Sequence, residues 1–234
     1  LGFTGFALHP SLPRLAQRWR AGKVAAIRGV GQPAVDLNHG SCLATWMAGT
    51  ASTSRTTGWI GRYLDTVPDS YEGLRGIVVD SFVPLHFLGE SAEVTGLGGA
   101  AVPFGSMRRD LYRRALYDAI ARFDDAATGR GALADRVAAT GQTAMDRAVD
   151  LAAVLPEDYS APAGTLVSQL DITARVINAN LGAKVLGVTS DSYDTHSGQL
   201  TTHGIRLDDL DAGIEQFYAT LDPAWADQVV LMTF

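Results

Sequence analysis

The strongest constraint on the fold is the alternation of short apolar runs with amphipathic segments in the second half of the chain. Apolar runs at residues 184–189 and 228–234 flank residues 205–221, where apolar side chains recur at helical spacing. Two strands joined by one helix pair in parallel through a right-handed crossover. The chain is therefore predicted to be an α/β protein with a mostly parallel sheet.

Two further strands are predicted in the first half of the chain. Residues 23–30 form a short β-prone run, and Ile77–Val79 form another. A short helix is predicted between them, with Asn38 or Ser41 as its N-cap and Gly49 at its end. Residues 24–49 are thus predicted to follow the order strand, loop and helix.

The middle of the chain is predicted to be helical within a single domain spanning residues 1–234. After a glycine-rich loop at residues 96–105, a charge-rich helical insertion occupies residues 106–155. Its two apolar stripes are Tyr112, Leu116, Ile120 and Phe123, and then Leu133, Val137, Met145, Val149 and Ala152. A further amphipathic helix has Leu166, Leu170, Thr173, Ile177 and Leu181 on one face.

Composition and charge exclude several classes of function. The chain is 47% hydrophobic and 19% charged with a net charge of −6, and acidic and basic residues are mixed along it. It lacks the basic stripe of a nucleic-acid-binding protein. It also lacks an apolar run of about 18 residues, so no transmembrane segment is predicted. The single Cys42 excludes an internal disulfide framework, and we expect it to pack beside Trp46 rather than act as a nucleophile.

Asp194 and His196 are the first candidate site residues. They follow the predicted strand at residues 184–189, and loops that leave the carboxyl ends of strands in open α/β sheets commonly bind ligands. A carboxylate and an imidazole two residues apart suit a divalent metal such as Zn²⁺. The alternative is that Asp194 caps a turn and His196 is a surface residue. His203, in the same predicted loop, is either a second imidazole of the site or a residue without chemistry near the next helix.

His39 is the second candidate. It lies after a predicted strand at the entrance of a helix, where backbone N–H groups favour an anion such as phosphate or sulfate. A histidine in this place can bind a metal, act as a general acid or serve as a nucleophile. The alternative is an ordinary loop histidine. His9 and His86 have no evident partners in the sequence and are assigned to the core or the surface.

A series of short segments adds a family resemblance to these patterns. The segments are residues 6–12, 22–27, 37–39, 46–49, 57–65, 193–196 followed by Gln199, and 230–234. In this order, over nearly the whole chain, they resemble the bacterial domain of unknown function 1501 family. The resemblance implies a three-layer alkaline-phosphatase-like fold related to sulfatases and to cofactor-independent phosphoglycerate mutases. It also implies twin-arginine export, and hence a periplasmic or extracellular protein.

The resemblance also implies an activity and a set of site residues. Members of the wider superfamily use two metal ions to bind phosphate or sulfate esters, so the implied function is metal-dependent hydrolysis of a small-molecule or glycan ester. Asp194 and His196 resemble the superfamily's metal ligands, with zinc as the expected ion. His39 occupies the position of the nucleophilic serine of alkaline phosphatases, as a ligand or a general acid/base.

Two departures from the family pattern affect this interpretation. The family has Ser-His-Phe where this chain has Asn38, His39 and Gly40. Other conserved segments of the family would precede Leu1 or follow Phe234, so the chain is expected to be a fragment with part of the site and weak metal binding. Because no serine or threonine stands at position 39, the alternative function is a non-catalytic exported binding or assembly protein.

Overall fold

The structure is a computed structural model that describes residues 7–32, 37–50, 56–68, 74–98, 115, 118, 119, 122, 129–152, 154–155 and 159–234. The described residues include six α-helices with defined bounds and a three-stranded parallel sheet, which confirms the predicted α/β class. One unit consists of Leu1–Gly99 and Ala161–Phe234, and a second consists of Ala100–Ser160.

The elements follow the chain in this order: α1 (Pro13–Arg20), α2 (His39–Ala48), α3 (Trp59–Asp65), β1 (Gly76–Val79), β2 (Val94–Leu97), α4 (Ala132–Ala152), α5 (Thr165–Asn178), β3 (Val185–Gly187) and α6 (Gln199–Thr220). Short 3₁₀ helices lie at Leu85–Phe87 and Pro223–Trp225. Of these elements with defined bounds, α4 belongs to the second unit and the others lie in the first. No helix in the described ranges combines the length and the apolar character that crossing a bilayer requires.

β1 is the central strand of the sheet. The strand order is β2-β1-β3, both pairs are parallel, and Gly76 lies opposite Val94 on one side and Val185 on the other. All four residues of β1 are buried, as expected for a parallel strand that is covered on both faces. The predicted strands at Ile77–Val79 and within residues 184–189 are therefore confirmed.

Two predicted strands are wrong. Residues 23–30 and 228–234 lie within the described ranges, and neither is a strand. In the first run Ile27 is 84% exposed. In the second run Val230 is 91% exposed, whereas Val229 and Leu231 pack against apolar side chains of α5 and α6 without forming a strand. Strand propensity reflects the fit of a side chain to a half-buried pleated surface, and a strand forms only where a neighbouring strand accepts its hydrogen bonds.

Two predicted loops differ from the structure at one boundary. Gly96 belongs to β2, where it pairs with Val78, and residues 99–105 of that predicted loop lie outside the described residues. The loop predicted to hold Asp194, His196 and His203, between the strand at residues 184–189 and the helix at residues 205–221, ends at Gly198, because α6 begins at Gln199.

α5 and α6 form one core of the first unit. Its buried members are Leu166, Leu170, Ala174, Phe217 and Leu221, which agrees with the predicted apolar faces of both helices. Gly213 allows the close approach, because a Cβ at this position would lie 2.8 Å from Cδ1 of Leu170. Burial of several large apolar side chains at about 25 cal/mol per Å² makes this interface a main source of stability.

A second core joins α3 to the sheet. Ile60 and Leu64 of α3 pack with Val78 of β1 and with Phe87. Gly61 lets α3 approach the chain closely, since a Cβ there would overlap the backbone carbonyl carbon of Leu88.

α4 confirms part of the predicted helical insertion. Its buried residues include Ala138 and Leu151, whereas Leu133 is 80% exposed and Val137 is 58% exposed, so the second stripe is not the buried face along its whole length. In an alanine-rich helix the packing partner decides which face is buried, and the stripe alone does not fix that choice. The first stripe, Tyr112, Leu116, Ile120 and Phe123, lies outside the described residues.

Asp211 fixes α1 to α6. Its side chain is fully buried and accepts hydrogen bonds from the backbone N–H groups of Arg14 (3.1 Å) and Leu15 (2.7 Å). The guanidinium of Arg14 also donates to it at 3.3 Å. Leu12, the N-cap residue of α1, offers no side-chain cap, so a carboxylate from another helix satisfies the free N–H groups at this helix start.

We predict that Asp211→Asn lowers the free energy of unfolding by about 2 kcal/mol, because an amide N–H₂ then faces backbone donors. Urea denaturation measures the change. Glu215→Gln is the matched control on the same helix, since its partly exposed ion pair with Arg18 contributes less than about 1 kcal/mol. Equal losses in the two variants would contradict the capping role of Asp211.

Asp65 clamps the turn that precedes β2. Its carboxylate accepts hydrogen bonds from the N–H groups of Glu90, Ser91 and Ala92 and from the hydroxyl of Ser91. Burial raises the pKa of Asp65, but these hydrogen bonds outweigh it and lower the pKa from 3.8 to about 2.

The stabilising effect of Asp65 is therefore present above pH 3.8 and is lost as the pH falls towards about 2. We expect Asp65→Asn to reduce the difference in unfolding free energy between about pH 5 and pH 2.5. Asp208→Asn, at an exposed position, should leave that difference unchanged. The same pH dependence in the Asp65→Asn variant and the unsubstituted protein would exclude the clamp.

Candidate metal centre

The N-terminus of α2 places His39. Asn38 is the N-cap, with its side-chain oxygen accepting a hydrogen bond from the N–H of Ser41 at 2.9 Å. Gly49 ends the helix in the left-handed conformation, with a φ of 64°. The structure thus confirms the predicted cap and end of this helix, and His39 is its first residue.

The loop between β3 and α6 places Asp194 and His196. Tyr193 attaches this loop to α6, because its hydroxyl donates to the backbone carbonyl of Arg206 at 3.2 Å. The Tyr193 ring also contacts the His203 ring edge-to-face, with 6.2 Å between centroids. The loop therefore has a fixed contact directly before its two candidate ligands.

The two candidate segments meet in space. Nε2 of His196 lies 2.9 Å from Oδ2 of Asp194, and Nδ1 of His39 lies 4.0 Å from the same oxygen. The rings of His39 and His196 meet edge-to-face with 5.6 Å between centroids. One donor atom from each residue lies within 4.8 Å of the other two. We call His39, Asp194 and His196 the three-residue cluster.

The donor set of the three-residue cluster fits a divalent metal ion. Two imidazoles with one carboxylate form a known ligand set of catalytic zinc sites, and the same set binds non-haem iron(II). Zinc–ligand bonds of about 2 Å place tetrahedral ligand atoms about 3.4 Å apart, so the widest separation must close by at most about 1.5 Å. The side chains are 79%, 64% and 72% exposed, so rotation of the rings meets little packing resistance.

The other histidines lie outside the three-residue cluster. His203 is a residue of α6, and its ring contacts that of His9 with 6.3 Å between centroids. His86 packs against the rings of Phe87 and Phe234, and burial lowers its pKa. The sequence shows no partner for His9 or His86, but in the folded chain each contacts at least one other ring.

Cys42 is half-buried in α2, and its backbone carbonyl accepts a hydrogen bond from Gln32 at 2.6 Å. Cys42 is not part of the three-residue cluster.

Comparisons of the chain with protein-family models, with curated proteins and with solved structures found no match. The resemblance to the domain of unknown function 1501 family therefore stays a prediction. The geometry of the three-residue cluster stands independently of it.

We predict that the protein binds one equivalent of Zn²⁺ at the three-residue cluster, with the weak affinity expected of a partial site, measured by competition with a weak chromophoric chelator. His196→Ala should weaken binding by at least about tenfold, because it removes one of three ligands. His9→Ala is the control, since it removes an exposed imidazole outside the cluster. Unchanged zinc affinity in His196→Ala, or an equal loss in His9→Ala, would exclude this site.

Proposed function

We propose that the protein is a metal-dependent hydrolase of phosphate or sulfate esters, with His39, Asp194 and His196 as ligands of a divalent ion, zinc in the first instance. The observation that carries this proposal is the convergence of three donor side chains from segments far apart in the chain. The resemblance, which implies export and a three-layer alkaline-phosphatase-like arrangement, forms part of the same proposal.

The start of α2 supports an anionic substrate. The N–H groups of His39 and Gly40, in the first turn of α2, have no acceptor within the helix. The positive end of the helix dipole adds to their attraction for an anion. A phosphate or sulfate ester at this helix start would lie beside the three-residue cluster, because His39 belongs to both.

The roles of the residues follow from this geometry. A divalent ion held by the three-residue cluster would supply Lewis-acid polarisation of an ester oxygen. Asp194 lies between the two imidazoles, and its carboxylate would offset part of the charge of the ion. The backbone N–H groups at the start of α2 would orient the ester anion, which lowers the entropy cost of reaching the reacting geometry.

A second candidate function is a non-catalytic binding or assembly protein that keeps the metal site. Two observations favour it. Position 39 carries no serine or threonine to act as a nucleophile. The three-residue cluster is also largely exposed, whereas electrostatic catalysis is strongest in sites that exclude water.

The test is hydrolysis of 4-nitrophenyl phosphate and 4-nitrophenyl sulfate by the zinc-loaded protein. We expect turnover that a chelator abolishes and that zinc restores, and a decrease of at least about 100-fold in Asp194→Asn. Asp208→Asn is the control, because its exposed carboxylate lies outside the three-residue cluster.

Chelator-insensitive turnover, or equal rates in Asp194→Asn and Asp208→Asn, would contradict the hydrolase proposal. Zinc binding without turnover of either ester would favour the binding protein.

A further inference from the structure

A large apolar groove lies in the same unit as the three-residue cluster. Its volume is about 1020 Å³. Side chains from α2, α5, β3 and the segment at residues 225–234 line it, and most of them are apolar. Small-molecule sites typically have volumes of about 300–1,000 Å³, so this groove has room for a ligand of considerable size.

α2 connects the groove to the three-residue cluster. His39, Leu43 and Met47 follow one another at intervals of four residues, so they lie along one face of this helix. Leu43 and Met47 line the groove, while His39 belongs to the cluster at the start of the same face. One face of α2 therefore carries a candidate metal ligand at its start and apolar side chains further along.

The loop after β3 connects the groove to the cluster a second time. Tyr193 lines the groove, and the next residue in the chain, Asp194, belongs to the cluster. The two segments that carry the candidate metal ligands, α2 and the loop after β3, therefore both contribute side chains to the lining of the groove.

We propose that this groove binds the apolar part of the ester substrate, so that the preferred substrates are esters with an alkyl or aryl group rather than small polar ones. The inference rests on the proposed function, because it places the ester anion at the three-residue cluster. Trp46, Trp225 and Phe234 add aromatic rings to the lining, which suits an alkyl chain or an aromatic ring.

The test is the affinity of the zinc-loaded protein for methyl, butyl and hexyl phosphate, measured by calorimetry. A fully buried methylene contributes about a fourfold gain in affinity, so hexyl phosphate should bind at least tenfold more tightly than methyl phosphate. Leu43→Asn places a polar side chain of similar size in the groove and should reduce this ratio by at least threefold. Leu133→Asn, at an exposed leucine of the second unit, is the control and should preserve the ratio.

The possible results separate this inference from the proposed function. Zinc-dependent binding of methyl phosphate with no gain for longer chains would overturn the apolar-substrate inference alone. A gain that Leu43→Asn leaves unchanged would also overturn it, because the alkyl chain would bind elsewhere. Absence of any zinc-dependent phosphate binding would contradict the proposed function itself.

Discussion

The packing of α5 against α6 is the interaction on which the rest of the first unit depends. A buried carboxylate, Asp171, lies inside it and is satisfied by Arg175 at 2.8 Å, Gln216 at 2.8 Å and Thr220 at 2.6 Å. A buried charge without these partners would be strongly destabilising, so these contacts favour one register of the two helices. α6 then serves as a scaffold: Asp211 holds α1, and the carbonyl of Arg206 holds the loop that carries the candidate metal ligands.

The candidate site depends on α6 as a scaffold and on the N-terminus of α2. The loop with Asp194 and His196 begins after a short strand at the edge of the sheet, and Tyr193 attaches it to α6. His39 reaches the same point from the first residue of α2, whose start is defined by the Asn38 cap. The chain thus brings an anion-attracting helix start next to two imidazoles and a carboxylate, a combination that suits an ester anion and a divalent ion.

Local sequence patterns predicted the elements that are stabilised by interactions between neighbouring residues or that bury their apolar side chains. The Asn38 cap, the apolar faces of α5 and α6 and the run at Ile77–Val79 all have strong sequence signals, and the structure confirms them. The runs at residues 23–30 and 228–234 have similar strand propensity but no pairing partner in the described residues. Strand propensity carries no information about whether a neighbouring strand is available. The sequence pairs Asp194 with His196 in one loop and links His39 to them only through the family resemblance. The contact between His39 and Asp194 depends on tertiary packing that no local pattern encodes.

The most direct test of the central claim is X-ray absorption spectroscopy at the zinc edge on protein loaded with one equivalent of zinc. The three-residue cluster predicts two imidazole nitrogens at about 2.0 Å, with oxygen ligands completing the coordination. A first shell that contains the sulfur of Cys42, or that contains only oxygen atoms, would contradict the assignment of His39, Asp194 and His196 as the metal ligands.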